Sequence, residues 1–268
     1  MRGSTPPPGS RNTVNSETQS RRNIKLLIEY DGSGYHGWQR QAGALSIQEV
    51  LESRLEIMFG KKMSVRASGR TDSGVHARGQ VVNFYIRARL KPEEILKGLN
   101  SLLPDDIVVL EAEEVDESFH SRFSAVSKVY EYHILNRPVP SALLRRYAWH
   151  VRQPLEMEPM EECLRMVCGR KDFSAFMASG SPVSSTVRIM FRAFLEQPVP
   201  DRLKFTFEAN GFLRHMVRNI TGTIVEVGKG KRTPEEFARI IQCGDRKKAG
   251  ITAPGHGLYL MCVNYSRE

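Results

Sequence analysis

Long apolar stretches are missing from this sequence. None of its 268 residues belongs to an uninterrupted apolar run of about eighteen, which is the length that a membrane-spanning helix requires. The first residues also lack the apolar core that a secretory signal contains. These absences predict a chain that neither crosses a membrane nor is exported, so the expected location is the cytoplasm.

Cysteine is scarce, and nothing in the sequence has the spacing of a metal or nucleotide site. The four cysteines show no CxxC pair and no histidine nearby: Cys163, Cys168, Cys243 and Cys262. Reduced thiols are expected, and structural zinc is not. None of the seven histidines lies in an HExxH pattern. The segment Gly228-Lys229-Gly230-Lys231 is too short for a phosphate-binding loop, so neither a metal nor a nucleotide cofactor is predicted.

Positive charge is in excess, with 39 Lys and Arg against 30 Asp and Glu, a net charge of +9. This balance favours a polyanionic partner, although it also suits a basic protein without one. Residues 1–22 combine a Pro6-Pro7-Pro8-Gly9 run with four arginines and little apolar surface. Burial would not offset the entropy of ordering them, so a disordered basic tail is predicted.

Hydrophobic periodicity divides the remainder into two halves with the same order of elements, strand, helix, strand, strand, helix, strand. In residues 23–117 the predicted elements are a strand from Ile24, a helix from a Ser46–Glu49 capping box to Phe59, strands Met63–Ala67 and Gln80–Arg87, a helix from Pro92 to Leu103, and a strand Ile107–Val115. In residues 118–268 they are a strand Val126–Leu135, a helix 158–168, strands Arg188–Glu196 and Leu203–Ala209, a helix from Phe212 to Val227, a shorter helix from Thr233, and a strand Leu258–Tyr265. The predicted fold class is α+β, with two ferredoxin-like (split βαβ) subdomains whose sheets join around a central cleft.

The segment Ser68 to Ala77, SGRTDSGVHA, links two predicted strands of the first half. Gly69 and Gly74 allow a tight, shaped loop. Between them lie one carboxylate, Asp72, and one guanidinium, Arg70. Composition alone favours an ordinary hairpin connection, since Asp-Ser-Gly is common turn chemistry.

Two segments of the second half place chemically useful side chains together. Tyr130 and Tyr132 lie two apart on a predicted strand and share a face, where they serve either to stack on a base and transfer a proton or simply to pack in the sheet. Arg214 and Arg218 lie four apart and share a face of the predicted helix. One guanidinium of such a pair suits a bidentate contact with a carboxylate and the other a phosphate, and the alternative is a solvated basic face.

The loop Tyr30 to Gln41, YDGSGYHGWQRQ, mixes glycine with aromatic and basic residues. This composition suits a loop that touches RNA. It suits a structural loop anchored by its aromatic rings equally well.

Taken together, these motifs resemble the TruA family of tRNA pseudouridine synthases. The matching segments occur in the family's order across about residues 23–266: the Tyr30 loop, the Asp72 loop, the Tyr130 strand, the Arg218 helix and the ending Gly257-Leu258-Tyr259-Leu260. One small departure is Ser73, where the family commonly has alanine.

The resemblance implies which residues act and on what substrate. Asp72 matches the catalytic aspartate, Tyr130 the active-site tyrosine and Arg218 the partner of the aspartate. The residues expected to bind substrate are Tyr130, Arg70, Phe212, Arg214 and Leu258. The implied reaction is isomerisation of uridine to pseudouridine at tRNA positions 38 to 40, in the anticodon stem-loop, by a cofactor-free homodimer with Asp72 as nucleophile.

Two other functions fit parts of the pattern. A non-catalytic protein built from two RRM-like units shares the basic balance and the split βαβ order, but the aromatic RNP-type stretch is missing. A glycosidase or base-releasing hydrolase also uses a carboxylate. That class normally needs two cooperating carboxylates, and only Asp72 stands out.

Overall fold

Ten strands form one continuous sheet in the computed structural model, which describes residues 20–180 and 183–266. The strands are β1 (Arg22–Tyr30), β2 (Arg66–Ala67), β3 (His76–Ile86), β4 (Ile107–Val115), β5 (Ala125–Asn136), β6 (Trp149–Val151), β7 (Gly169–Asp172), β8 (Val187–Val199), β9 (Arg202–Ala209) and β10 (Leu258–Tyr265). The helices are α1 (Ile47–Phe59), α2 (Pro92–Leu102), α3 (Met157–Val167), α4 (Met216–Gly228) and α5 (Pro234–Cys243). The structure is therefore mixed α and β, which is compatible with the predicted α+β class. Most of the predicted basic tail, residues 1–19, lies outside the described residues.

The last strand joins the two halves of the sheet. The strand order is β4-β1-β3-β10-β5-β9-β8-β7, with β2 paired to β3 and β6 paired to β5. β10 runs antiparallel to β5 along most of its length but pairs in parallel with β3 only at Tyr259↔His76 and Leu260↔Ala77. The short contact with β3 lies directly after the Asp72 loop, so the seam between the halves passes beside that loop.

Alternation of burial along the strands sets the core. Ile24, Leu26 and Ile28 of β1 are fully buried, whereas Lys25 is partly exposed and Glu29 is exposed. Apolar faces of the helices complete the core on the buried side of the sheet, and α4 is buried along nearly its whole length. No helix in the described part of the chain combines the length and apolarity that crossing a membrane requires.

The N-termini of α1 and α5 follow their capping residues, with one difference from the predicted capping boxes. Thr233 and Glu236 form the expected reciprocal capping box at α5. At α1 only half of the predicted box exists. Ser46 accepts a hydrogen bond from the Glu49 amide at 3.3 Å, but the Glu49 carboxylate binds Arg40 instead, with 3.3 Å between Nη2 and Oε1.

Candidate active site

The Asp72 loop, residues 68–75, is held by the aromatic loop that follows β1. The Trp38 amide donates to the Thr71 carbonyl at 3.0 Å, and the Tyr30 and Thr71 hydroxyls lie 2.8 Å apart. Tyr30, Tyr35 and Trp38 are all buried. Of the two interpretations of the Tyr30–Gln41 segment, the structural one fits its aromatic rings. Its exposed residues include His36, Gln39, Arg40 and Gln41.

Two glycines allow other segments to approach this loop closely. Gly37 has a φ of +91°, and a Cβ added there would lie 2.6 Å from the Thr71 carbonyl oxygen. A Cβ at Gly255 would lie 2.3 Å from the Ser73 carbonyl oxygen. The departure at Ser73 is accommodated by a hydrogen bond from its hydroxyl to the Tyr35 carbonyl at 3.3 Å. The loop is therefore fixed from both sides by backbone that tolerates no added side chain.

An ion pair joins the two halves at this loop. Arg218 of α4 donates from Nη1 to Oδ2 of Asp72 at 2.8 Å. Its Nε donates to the Ala253 carbonyl at 2.8 Å, and the Ala253 amide returns a bond to the Arg218 carbonyl at 3.1 Å. The carboxylate is 23% exposed and the guanidinium 15%, so water screens this pair only partly.

The bidentate contact that we predicted between the guanidinium and the carboxylate is not what the structure contains. Arg218 divides its donors between Asp72 and the carbonyl of Ala253. This arrangement fixes the direction of the guanidinium and leaves Oδ1 of Asp72 free of Arg218. The carboxylate is thus held in a fixed direction, and its Oδ1, which accepts no hydrogen bond from Arg218, is available to a substrate.

His215 is a neighbour of Asp72 that sequence reasoning missed. Its Nε2 lies 3.6 Å from Oδ2 of Asp72. Burial lowers the pKa of His215, although the Asp72 charge acts in the opposite direction. His215 is also the only non-glycine residue with positive φ in the described ranges, at 63°. Such a conformation is uncommon outside glycine and concentrates at functional sites.

The same backbone conformation moves the start of α4. The helix begins at Met216 and not at Phe212 as predicted, because His215 at its N-cap is left-handed. Arg214 therefore lies in the turn before the helix, and the predicted shared helical face of Arg214 and Arg218 is wrong. Arg214 is exposed, whereas Arg218 is mostly buried.

Tyr130 lies between Phe212 and the Asp72 loop. Its ring meets that of Phe212 edge-on, with 5.0 Å between centroids. A Cβ placed on Gly69 of the Asp72 loop would be 3.9 Å from the Tyr130 hydroxyl. Burial, with smaller contributions from Tyr30 and Asp72, raises the pKa of Tyr130 far above its ordinary value. The phenol therefore stays protonated and is a hydrogen-bond donor at neutral pH.

Tyr132, which shares the face of Tyr130, has a structural role. It is fully buried, and its hydroxyl donates to the Pro254 carbonyl at 2.7 Å. Leu258, at the start of β10, pairs with Tyr132 and is 6% exposed. Arg70 is exposed and forms no hydrogen bond or ion pair within the described ranges.

Lys128 is a second residue whose position sequence reasoning missed. Its ammonium group donates to the Ser68 carbonyl, at the start of the Asp72 loop. A Cβ on Gly69 would lie 3.2 Å from its Nζ. Burial, followed by repulsion from Arg122 and Arg188, lowers the pKa of Lys128 to about 8. A partly buried cation therefore adjoins the site.

The described residues also lack a cluster of metal-ligating side chains. Within residues 20–180 and 183–266, no three His, Cys, Asp or Glu side chains are grouped so that they could hold an ion. The site is built from a carboxylate, cationic groups and aromatic rings.

This combination, a carboxylate paired to an arginine across a sheet seam beside a buried tyrosine, agrees with a comparison against known families. The family model described as tRNA pseudouridine synthase matches residues 26–124 and 164–266. The two matched segments contain the Asp72 loop and the Arg218 helix and cover most of the chain. The chain belongs to the tRNA pseudouridine synthase family.

Individual relatives are similar over nearly the full length. A tRNA pseudouridine synthase A of Thermoanaerobacter sp. (strain X514) is 45% identical over 244 residues, which is 91% of this chain and 100% of the relative. The tRNA pseudouridine synthase A of Acetivibrio thermocellus is 45% identical over 245 residues, again 91% and 100%. That of Syntrophotalea carbinolica is 44% identical over 245 residues, 91% of this chain and 97% of the relative.

Proposed function

We propose that this chain isomerises uridine to pseudouridine at positions 38 to 40 of tRNA, on the 3′ side of the anticodon stem-loop, with Asp72 as the nucleophile. The observation that carries the proposal is the 2.8 Å contact between Asp72 and Arg218 across the seam of the sheet. Family membership and the names of the relatives support the reaction class.

The reaction breaks the bond between N1 of uracil and C1′ of the ribose, turns the base and forms a bond from C5 to C1′. The proton on C5 is released and N1 regains one, so no external reagent is consumed. A carboxylate performs this as a nucleophile, at C1′ or on the uracil ring. Either route requires the carboxylate to be held in a fixed direction, which is what Arg218 provides to Asp72.

We propose a role for each of the other predicted site residues. Tyr130, protonated and edge-on to Phe212, suits stacking on the flipped base and donation of a proton. Leu258, the cross-strand neighbour of Tyr132, is proposed to supply apolar surface for the base. Arg70 and Arg214 are exposed and suit contacts with phosphates, which offset the few kcal/mol that flipping a base costs.

We also infer that residues 23–117 and 118–268 are two ferredoxin-like subdomains with the cleft between them. The strand orders support this when the short strands β6 and β7 are left out of the count. The first half is ordered β4-β1-β3-β2 and the second β10-β5-β9-β8. In both, the order across the sheet is the fourth, first, third and second strand of that half. The tRNA would lie across the cleft of a homodimer. An enzyme with this substrate is expected in the cytoplasm.

The test is to incubate the purified full chain with a tRNA transcript and map pseudouridine by carbodiimide treatment and primer extension. We expect product at one or more of positions 38 to 40 and none in a transcript that carries cytidine at those positions. Free uracil in the supernatant would indicate a base-releasing hydrolase instead. Binding without product would indicate a non-catalytic RNA-binding protein. Either result would overturn the proposal.

Replacement of Gly37 by alanine tests whether close packing positions the Asp72 loop. We expect Gly37→Ala to lower the single-turnover rate by more than tenfold, because the new Cβ would meet the Thr71 carbonyl at 2.6 Å and displace the loop. Stability should fall by about 1–3 kcal/mol. The matched control is Gly43→Ala, which has a similar positive φ of +75° but no atom within 4 Å. Equal rate losses in the two variants would contradict the argument.

A further inference from the structure

Three cationic side chains lie near enough to act on one another's charge, and one of them contacts the Asp72 loop: Lys128 of β5, which makes that contact, Arg188 of β8 and Arg122 of the segment before β5. Strand register places two of them on one face. Lys128 pairs with Ala209 of β9, and Ala209 pairs with Met190 of β8. Arg188 lies two residues before Met190 and so points to the same side of the sheet as Lys128.

Lys128 and Arg188 both reach the rim of the site, meaning the residues that surround Asp72 and Tyr130. The Lys128 ammonium lies against Ser68 and Gly69, as described above. A Cβ placed on Gly211 would be 3.6 Å from Nε of Arg188. Gly211 directly precedes Phe212, whose ring packs on Tyr130. Both cations therefore lie next to residues that adjoin the aromatic pair.

This cluster forms no ion pair with a carboxylate of the described residues. Within residues 20–180 and 183–266, none of the three side chains forms an ion pair with Asp or Glu; Lys128 and Arg188 instead donate to carbonyls. Burial and Arg122 lower the pKa of Arg188, and both arginines lower that of Lys128. Lys128 and Arg188 are partly buried and Arg122 is exposed. Holding such like charges together without a counter-ion costs free energy. An anionic ligand would remove that cost.

An aromatic surface next to the cluster points to a nucleic acid as the source of the anion. Phe123 is 75% exposed. Its ring lies 4.5 Å from that of His120 and 5.5 Å from the Arg122 guanidinium. An exposed ring backed by a histidine and next to an arginine is a surface on which an unpaired base stacks.

We propose that Lys128, Arg122 and Arg188 bind a backbone phosphate of the RNA adjacent to the flipped uridine. This inference rests on the proposed function, because it takes RNA as the substrate of the Asp72 site. A nucleotide whose base enters that site brings its own flanking phosphates to the rim, where the cluster lies. A single phosphate bridging the three side chains supplies the missing negative charge and fixes the register of the RNA relative to Asp72.

The test measures binding of an anticodon stem-loop RNA by fluorescence anisotropy at several salt concentrations. We expect Arg122→Gln, Arg188→Gln and Lys128→Gln each to weaken binding about tenfold at low salt and to reduce the slope of log Kd against log salt by about one. Controls are Lys97→Gln on α2 and Arg239→Gln on α5, both exposed residues away from the site. They remove the same charge and should leave the slope unchanged.

A second measurement locates the phosphate. An RNA with one neutral methylphosphonate beside the target uridine is compared with an RNA that has the normal phosphate, both carrying 2′-deoxyribose at that linkage. Wild-type protein should bind the neutral RNA at least tenfold more weakly, and the loss should be smaller in Arg188→Gln, which has already lost one of the three contacts to that phosphate. The proposal would be overturned if wild-type protein and Arg188→Gln lost the same affinity on the neutral RNA, whichever of the two phosphates flanking the uridine is replaced.

The outcomes separate this inference from the proposed function. If wild-type protein makes pseudouridine while all three variants keep the wild-type salt slope, only the phosphate cluster is wrong. If wild-type protein makes none, the proposed function fails whatever the slopes. Thermal melting identifies a Lys128→Gln protein that does not fold, and Arg122→Gln and Arg188→Gln then decide.

Discussion

Asp72→Asn is expected to abolish pseudouridine formation, with a fall in the single-turnover rate on the order of 10⁴-fold or more. The amide keeps the shape of the side chain and can accept a bond from Arg218, but it is neither a nucleophile nor a negative charge beside the sugar. Since Asp72 itself repels the RNA backbone, tRNA binding should stay within a few fold of wild type. The measurement is product formed with enzyme in excess, together with the Kd for tRNA.

The control for this variant is Asp105→Asn. Asp105 is an exposed carboxylate in the turn between α2 and β4, away from the seam. Its amide should leave rate and binding unchanged. Wild-type activity in Asp72→Asn would refute the assignment of the nucleophile, and loss of tRNA binding without loss of rate at saturation would assign Asp72 to binding alone.

Arg218→Lys should lower the rate by roughly 10² to 10³-fold, the range seen when one preorganised hydrogen-bond donor is removed from an active site. Arg218 contacts Asp72 through Nη1 and the Ala253 carbonyl through Nε, each at 2.8 Å. A single ammonium group cannot reproduce two donors in a fixed plane. The carboxylate would keep a positive neighbour but lose its direction.

Single-turnover kinetics and tRNA binding separate this role from a general loss of charge. Because lysine preserves the charge, we expect binding within a few fold of wild type and a selective effect on the rate. Arg239→Lys, on the exposed side of α5, is the matched control. A single-turnover rate equal to wild type in Arg218→Lys would exclude the positioning role.

Elements with strong local patterns were predictable from the sequence. Those that depend on a distant partner were not. The strand expected at Met63–Ala67 shrinks to β2 because the Val65 amide donates to the Glu52 side chain at 3.1 Å and not to a neighbouring strand. β3 starts at His76, before the predicted Gln80, because β10 pairs with His76 and Ala77. The short strands β6 and β7 were missed because three or four residues carry no usable periodicity.

The site residues also divide into those that a motif indicated and those whose position depends on a distant partner. Composition favoured an ordinary turn at Asp72, and the pairing with Arg218 came from family resemblance, because no local pattern relates residues 146 apart. His215 and Lys128 lay inside the motifs but gave no signal. The contact of His215 depends on a left-handed residue before α4, and that of Lys128 on a loop from the other half. Both are consequences of tertiary packing.

The most direct test of the account is to map pseudouridine in tRNA from cells that lack this chain, and then from the same cells supplied with wild-type protein or with Asp72→Asn. We expect the modification on the 3′ side of the anticodon stem-loop to disappear, to return with wild-type protein and to stay absent with Asp72→Asn present at an equal level. Return of the modification with Asp72→Asn, or its persistence in cells without the chain, would contradict the account.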